Sequence, residues 1–133
     1  MRFFFPQSSR LKRGWEFDVV IRTGGLLRGE LVRLSFVKGV EGKIRVGMAV
    51  GKRQGKSHER NRGRRMLREA FRRLLPWMRD DVWIVARLSR AGMKSGAREI
   101  YEELSRLLAK GGFMLPEWPG PNWDDPSKGV AEQ

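Results

Sequence analysis

The sequence predicts one α+β domain, with elements in the order α-β-β-α-β-α, over residues 1–115. Three observations carry this. The chain has 133 residues, about the length of a single domain. Its apolar residues recur with two different periods, one helical and one of two residues. Glycine pairs and prolines punctuate the boundaries between these stretches.

Residues 15–23 read as a short helix, with Phe17, Val20 and Ile21 sharing a face and Gly24-Gly25 ending it. Residues 31–37 alternate as a strand does, Val32, Leu34 and Phe36 on one side and Arg33 and Ser35 on the other. Residues 39–42, bounded by Gly39 and Gly42, form a turn into a second strand over residues 44–50, expected to pair with the first as a hairpin. A glycine-bearing basic loop over residues 51–56 follows. Ser57 is a suitable cap for a long helix that runs to about Leu75 and is stopped by Pro76. Residues 82–88 are a short apolar third strand. Ser95 is positioned to cap a last helix to Lys110, with Ile100, Leu104, Leu107 and Leu108 as its buried stripe and Gly111-Gly112 as its end.

Composition removes several functions. Without cysteine there is no disulfide scaffold, thiolate nucleophile or cysteine-ligated metal. One histidine, His58, cannot build a multi-histidine metal site. The first residues, Met1 to Pro6, are too short an apolar run for a secretory segment, and nothing approaches a membrane span of about 18 apolar residues. A cytoplasmic protein is the simplest expectation. The carboxylates are scattered, apart from Asp80-Asp81, Glu102-Glu103 and Asp124-Asp125, so no metal-binding cluster or general base stands out.

Charge is the dominant signal. Lys and Arg number 28 against 15 Asp and Glu, a net charge of +13 that favours a polyanionic partner. Ten of the basic residues fall within residues 52–73, against only Glu59 and Glu69. The sign reverses over residues 116–133, which hold four of the six prolines. This stretch is expected to be an acidic, flexible tail, although Trp118 and Trp123 are unusual in one.

At ~100° per residue the central helix divides into two faces. Met66, Leu67, Ala70, Phe71 and Leu74 fall on one, and Arg62, Arg64, Arg65, Arg68 and Arg72 on a broad opposite arc. Like charges at i,i+4, such as Arg60, Arg64, Arg68 and Arg72, repel by a few tenths of a kcal/mol per pair. A helix built only for solubility would interleave Glu, so the pattern fits a surface whose counterions are phosphates. Arginine suits this because its planar fork donates in pairs and stacks on bases. Asn61 is suited to bond a base edge or a sugar hydroxyl, or to brace the loop.

These residues also carry a resemblance. A strand, then Lys52-Arg53, Gly55-Lys56, Arg60-Asn61-Arg62, Arg64-Arg65 and Arg68-Glu69-Ala70-Phe71-Arg72 together resemble the signature of the bacterial ribonuclease P protein subunit family. The likeness extends upstream to residues 11–17 and downstream through residues 81–87 and the last helix, covering about residues 8–112. It departs at His58-Glu59, where the family has small or apolar residues, and at Gly63, where it has an aliphatic one. Glycine there should loosen the first helical turn by up to about 1 kcal/mol.

The resemblance implies a fold like the second domain of ribosomal protein S5, with a left-handed βαβ crossover carrying the basic helix. It implies a role as the protein component of an endoribonuclease whose catalytic centre lies in an RNA subunit and which removes the 5′ leader of precursor tRNA. Mg²⁺ would then be held mainly by the RNA. The RNA-binding set carried over is Lys52, Arg53, Lys56, Arg60, Asn61, Arg62, Arg64, Arg65 and Arg68. The leader-binding cleft carried over is Arg13, Phe17, Ile21 and Leu34. From the residues alone, Phe17 suits core packing and base stacking equally. The alternative function is a ribosomal-type RNA-binding protein or RNA chaperone using the same helix, without tRNA processing.

Overall fold

The computed structural model describes residues 7–127. The expectations that concern residues 1–6 and 128–133 lie outside the described residues. Helix α1 spans Gly14–Thr23 and is followed by strands β1 (Gly25–Arg28), β2 (Val32–Lys38) and β3 (Arg45–Ala49). Helix α2 spans Ser57–Leu74 and leads through a 3-10 turn at Leu75–Trp77 to β4 (Val82–Leu88). A one-turn helix α3 (Arg90–Met93) and the long helix α4 (Ala97–Lys110) complete the described elements. The four strands form one mixed sheet in the order β1-β2-β4-β3.

The expected hairpin between residues 31–37 and 44–50 does not form. Strand β2 pairs antiparallel with β1 on one side and with β4 on the other, and β3 pairs with β4 in parallel at the far edge. Parallel neighbours require a crossover, and α2 supplies it. β4 is the strand suited to the centre, because its run of apolar residues is buried along nearly its whole length. The loop between β2 and β3 is tied instead to the entrance of β4. Asp81 Oδ1 accepts from Gly42 N at 3.0 Å and Asp80 Oδ1 from Ile44 N at 3.0 Å. Strand β1 begins at Gly25, expected to end a helix, and takes in residues 26–28, which the sequence pattern assigns to no element.

Period-two alternation gives the sheet two differently covered faces. Val32, Leu34, Val46, Ile84 and Ala86 face α2 and α4 in the main core with Phe71, Leu74, Ile100, Tyr101 and Leu104. The other face carries α1, where Val20 and Val85 are buried with Phe17, Val37, Ala49 and Trp83 around them. The buried sides of α2 and α4 are the ones the periodicity predicts.

Neither serine caps its helix. The capping residues are Lys56 and Gly96, and glutamates at the third helical position take the role: Glu59 accepts from Lys56 N at 2.9 Å and Glu99 from Gly96 N at 3.0 Å. A third glutamate does more. Glu103 is buried, and its carboxylate accepts from the backbone N–H groups of Glu30, Leu31 and Val32 at 3.0, 2.8 and 2.7 Å, fastening α4 to the β1–β2 turn.

The stretch expected to be flexible from Pro116 lies against the domain through its described residues. Asn122 N donates to the Tyr101 hydroxyl at 2.9 Å, and the Trp123 ring lies 3.6 Å from the Arg73 guanidinium and edge-on to Tyr101. Trp118 packs on the main core. Composition hides this because two tryptophans outweigh many polar neighbours in buried area.

Candidate nucleic-acid interface

Helix α2 owes its exposed face to the packing of the opposite one. Gly63, Met66, Leu67, Ala70, Phe71 and Leu74 are buried, which leaves the arginines no inward direction. Among the described residues, none of Lys52, Arg53, Lys56, Arg60, Arg62, Arg64, Arg65 and Arg68 forms an ion pair. Of the two acids on the helix, Glu59 caps its start and Glu69 serves the far end, meeting Arg72 at 3.0 Å and Arg73 at 3.1 Å. Burial works against the Glu69 anion, but hydrogen bonds from Arg73 and Arg72 outweigh it and hold the carboxyl below its usual value. Over the first two-thirds of the helix the only acid is Glu59, in the first turn, and no basic side chain there forms an ion pair among the described residues.

The ridge has internal order. Arg60 Nη2 donates to Ser57 Oγ at 3.1 Å, and Arg64 donates to Asn61 Oδ1. Asn61 thus braces an arginine. Arg62 turns to the flank where α3 lies, donating to Met93 O at 3.1 Å and Ser95 O at 3.3 Å. The exposed Arg62 is consequently both a cation of the ridge and a clamp on α3. Gly63 is buried beside it. A Cβ there would meet Met93 Sδ at 2.9 Å and Leu88 Cδ1 at 3.1 Å. The expected loosening at Gly63 is replaced by a close approach, with Met93 occupying the space of the missing side chain.

On the other face of the sheet, α1 lies across the strands. Its first turn meets β3 through Glu16 and Arg45 at 3.4 Å, and its end meets β2, where Gly24 abuts Phe36 O. Arg13, Phe17 and Ile21, spaced by four, share one flank. Arg13 and Ile21 are exposed, and Phe17 lies half-buried on Gly47. Leu34 does not join them. It is 0% exposed in the main core, because alternation points it at α2 and α4 while its neighbours Arg33 and Ser35 face α1. Leu34 is therefore not on the α1 side; its neighbour Ser35 is, but it is buried too, its Oγ accepting from Arg87 Nη2 at 3.3 Å. Trp15 lies on the opposite flank of α1, 56% exposed and tilted against Trp83.

Residues 5–112 match the family model described as Ribonuclease P. The chain belongs to this family. Its ribonuclease P relatives include the "Ribonuclease P protein component" of Pseudanabaena sp., 32% identical over 107 residues that cover 79% of this chain and 92% of that protein. The component from Chlamydia muridarum is 41% identical over 76 residues, which cover 56% of this chain and only 64% of the relative. Among solved structures, the RNase P protein from Thermotoga maritima superimposes with a TM-score of 0.68 at 26% identity, covering 76% of this chain and 96% of that one. The Staphylococcus aureus protein gives 0.71 at 19% identity over 80% and 97%, a likeness of fold.

Within this family frame, sequence reasoning did not place Ser35 and Arg87 beside α1. The signal that finds them is strand alternation, which places both on the α1 side in register with Val85 and Arg33 respectively. Glu16, at the start of α1, is buried and accepts from Lys12 N and Arg13 N, both at 2.8 Å. The Arg13 N–H does most to lower its pKa; burial opposes this, and the Lys12 N–H and the Arg45 guanidinium add to it. No group of three or more acidic or histidine side chains converges to hold a metal among the described residues.

Proposed function

We propose that this chain is the RNA-binding protein subunit of ribonuclease P and assists a catalytic RNA in removing the 5′ leader from precursor tRNA. Membership of the family supports the partnership with RNA. The observation that carries the mode of binding is the basic surface of α2 and the loop before it, eight basic side chains without an ion pair among the described residues. Phosphates of the catalytic RNA are the counterions such a surface calls for. The leader lies in this reading along the other face, between the Arg13–Phe17–Ile21 flank of α1 and Arg87 of the sheet, where an aromatic ring beside cations suits an unpaired base.

In this reading the chain does not perform the cleavage. Its part is to offset repulsion between two RNAs and to position the leader. The acidic pairs are committed elsewhere: Asp80 and Asp81 hold the β2–β3 loop, Glu103 the β1–β2 turn, and Glu102 faces Arg98 at 3.3 Å. In this reading Mg²⁺ is assigned to the RNA. No described helix is long and apolar enough to cross a membrane, which accords with work in the cytoplasm.

Reconstitution tests the reading. Added to ribonuclease P RNA at low Mg²⁺, the chain should restore cleavage of precursor tRNA at the leader junction. Tight RNA binding with no restoration would favour a ribosomal-type RNA-binding protein or chaperone.

A further inference from the structure

Residues 113–127 lie beyond the family match and form a strap over α2 and α4. The strap is fixed along its length. Arg79 N donates to Phe113 O at 2.8 Å and Leu115 N to Trp77 O at 2.7 Å, so its start pairs with the turn after α2. Its later residues reach Tyr101 in α4 and Arg73 in α2, and Pro126 is buried. Over these residues the strap carries Glu117, Asp124 and Asp125 and no basic side chain.

Arg62, Arg65, Glu69 and Arg73 follow one another at spacings of three and four, so they lie along one line of α2. Arg62 and Arg65 are exposed. Arg73 is covered. Its side chain is 15% exposed, with Nε donating to Trp123 O at 3.1 Å, Nη1 to Glu69 O at 2.7 Å, and the Trp123 ring across its guanidinium. The strap thus withdraws the last arginine of the line. It also brings a charge of opposite sign there, because Asp124 follows Trp123 directly and is exposed. At about 1.5 Å of rise per residue, Arg65 stands about 12 Å from Arg73 along the helix axis. Salt at physiological strength screens exposed charges over about 8 Å. Asp124 therefore acts on the end of α2 and leaves the turns around Arg60 to Arg65 nearly untouched.

We propose that the strap is an end-stop for the RNA-binding surface: by covering Arg73 with Trp123 and placing Asp124 beside it, it confines RNA to the first two-thirds of α2. The inference rests on the RNA-binding reading above. Phosphate contacts carry no sequence information, so a helix basic to its last turn holds a phosphodiester chain in several registers with similar energy. A carboxylate at one end penalises the registers that run past it. Discrimination of this kind comes from repelling the wrong mode of docking and leaves the favoured one as it was. The stop therefore acts against RNA of arbitrary sequence and shape, and little against the RNA that fits the first turns of α2.

The test uses the full chain with Asp124→Lys and the milder Asp124→Asn, and Glu41→Lys in the exposed β2–β3 loop as a control of equal charge change. The probes are unstructured oligouridylate and ribonuclease P RNA, each titrated with salt. Asp124→Lys should tighten oligouridylate binding about fivefold and steepen its log–log salt slope by about one unit. Asp124→Asn should act in the same direction and by less. Affinity for ribonuclease P RNA should stay within about twofold of wild type, and so the ratio between the two RNAs should fall. Thermal midpoints should match wild type, because the substituted side chain is exposed. Oligouridylate binding unchanged in both Asp124 variants overturns the stop. An equal gain from Glu41→Lys overturns it too, since net charge alone would then account for the effect. So does an equal gain for ribonuclease P RNA, because the strap would then not discriminate. A wild-type chain that binds neither RNA overturns the stop and the RNA-binding reading together.

Discussion

The Phe17 ring rests on the bare backbone of Gly47: a Cβ at position 47 would lie 2.5 Å from Phe17 Cε1 and 2.7 Å from Cζ. The absence of one side chain on an edge strand therefore sets how closely α1 approaches the sheet. It also sets the position of the aromatic ring assigned to the leader. Gly47→Ala should displace that ring, and Phe17→Ala should remove it. Stacking on an aromatic side chain is worth ~1–3 kcal/mol per base. Each variant is expected to weaken binding of leader-bearing precursor about tenfold or more, and mature tRNA much less. Equal losses for both RNAs would return Phe17 to a packing role.

Arg62 and Arg65 separate binding from architecture. Both are exposed, but only Arg62 donates to the carbonyls of Met93 and Ser95. Arg65→Ala should lower the salt slope of RNA binding by about one unit and leave stability unchanged. Arg62→Ala should lower the slope similarly and also cost about 1 kcal/mol in chemical denaturation, since it unclamps α3. Identical stabilities for the two variants would show that the clamp is not formed in solution.

Trp123 holds the chain after Pro116 against the domain. Its ring covers the Arg73 guanidinium at 3.6 Å and meets Tyr101 at 5.6 Å between centroids. Burial pushes the Tyr101 phenol above its ordinary pKa of 10.0, in keeping with a hydroxyl enclosed beneath this stretch. Trp123→Ala should destabilise the protein by about 2 kcal/mol, and deletion of residues 116–133 by at least as much. Unfolding curves that coincide with wild type would mean that this stretch contributes nothing to the domain.

Glu16 gives the fold an acid limit. Its carboxyl titrates below the ordinary 4.5 in the folded chain, so folding favours the ionised form. The stabilisation from this group is complete above that ordinary value and is lost as pH falls through the lower folded one. Glu16→Gln should therefore be less stable than wild type at neutral pH, with the difference shrinking toward about pH 3. Denaturant midpoints at both pH values measure it, and a gap that stays constant would remove Glu16 from the acid response.

Local pattern by itself determined a good deal. The apolar faces of α2 and α4, the strands around residues 32–38, 45–49 and 82–88, and the basic run that dominates one surface all follow from spacing along a few turns or a few residues. The residues around Arg60-Asn61-Arg62 were enough to indicate the family that the comparison then showed. What the sequence left open was partnership across distance. β3 could not be assigned to the far edge of the sheet, because strand pairing depends on non-local hydrogen bonds that periodicity does not encode. Leu34 and Ser35 are neighbours in sequence, and only the placement of α1 on one face of the sheet and α2 and α4 on the other decides which of them lies toward α1. Gly63 reads as a weak helical residue until Met93 fills its space, and Trp123 as part of a polar tail until Arg73 lies beneath it. Residues 33 and 87 become neighbours only through strand register, because a sheet joins side chains that the chain itself keeps far apart.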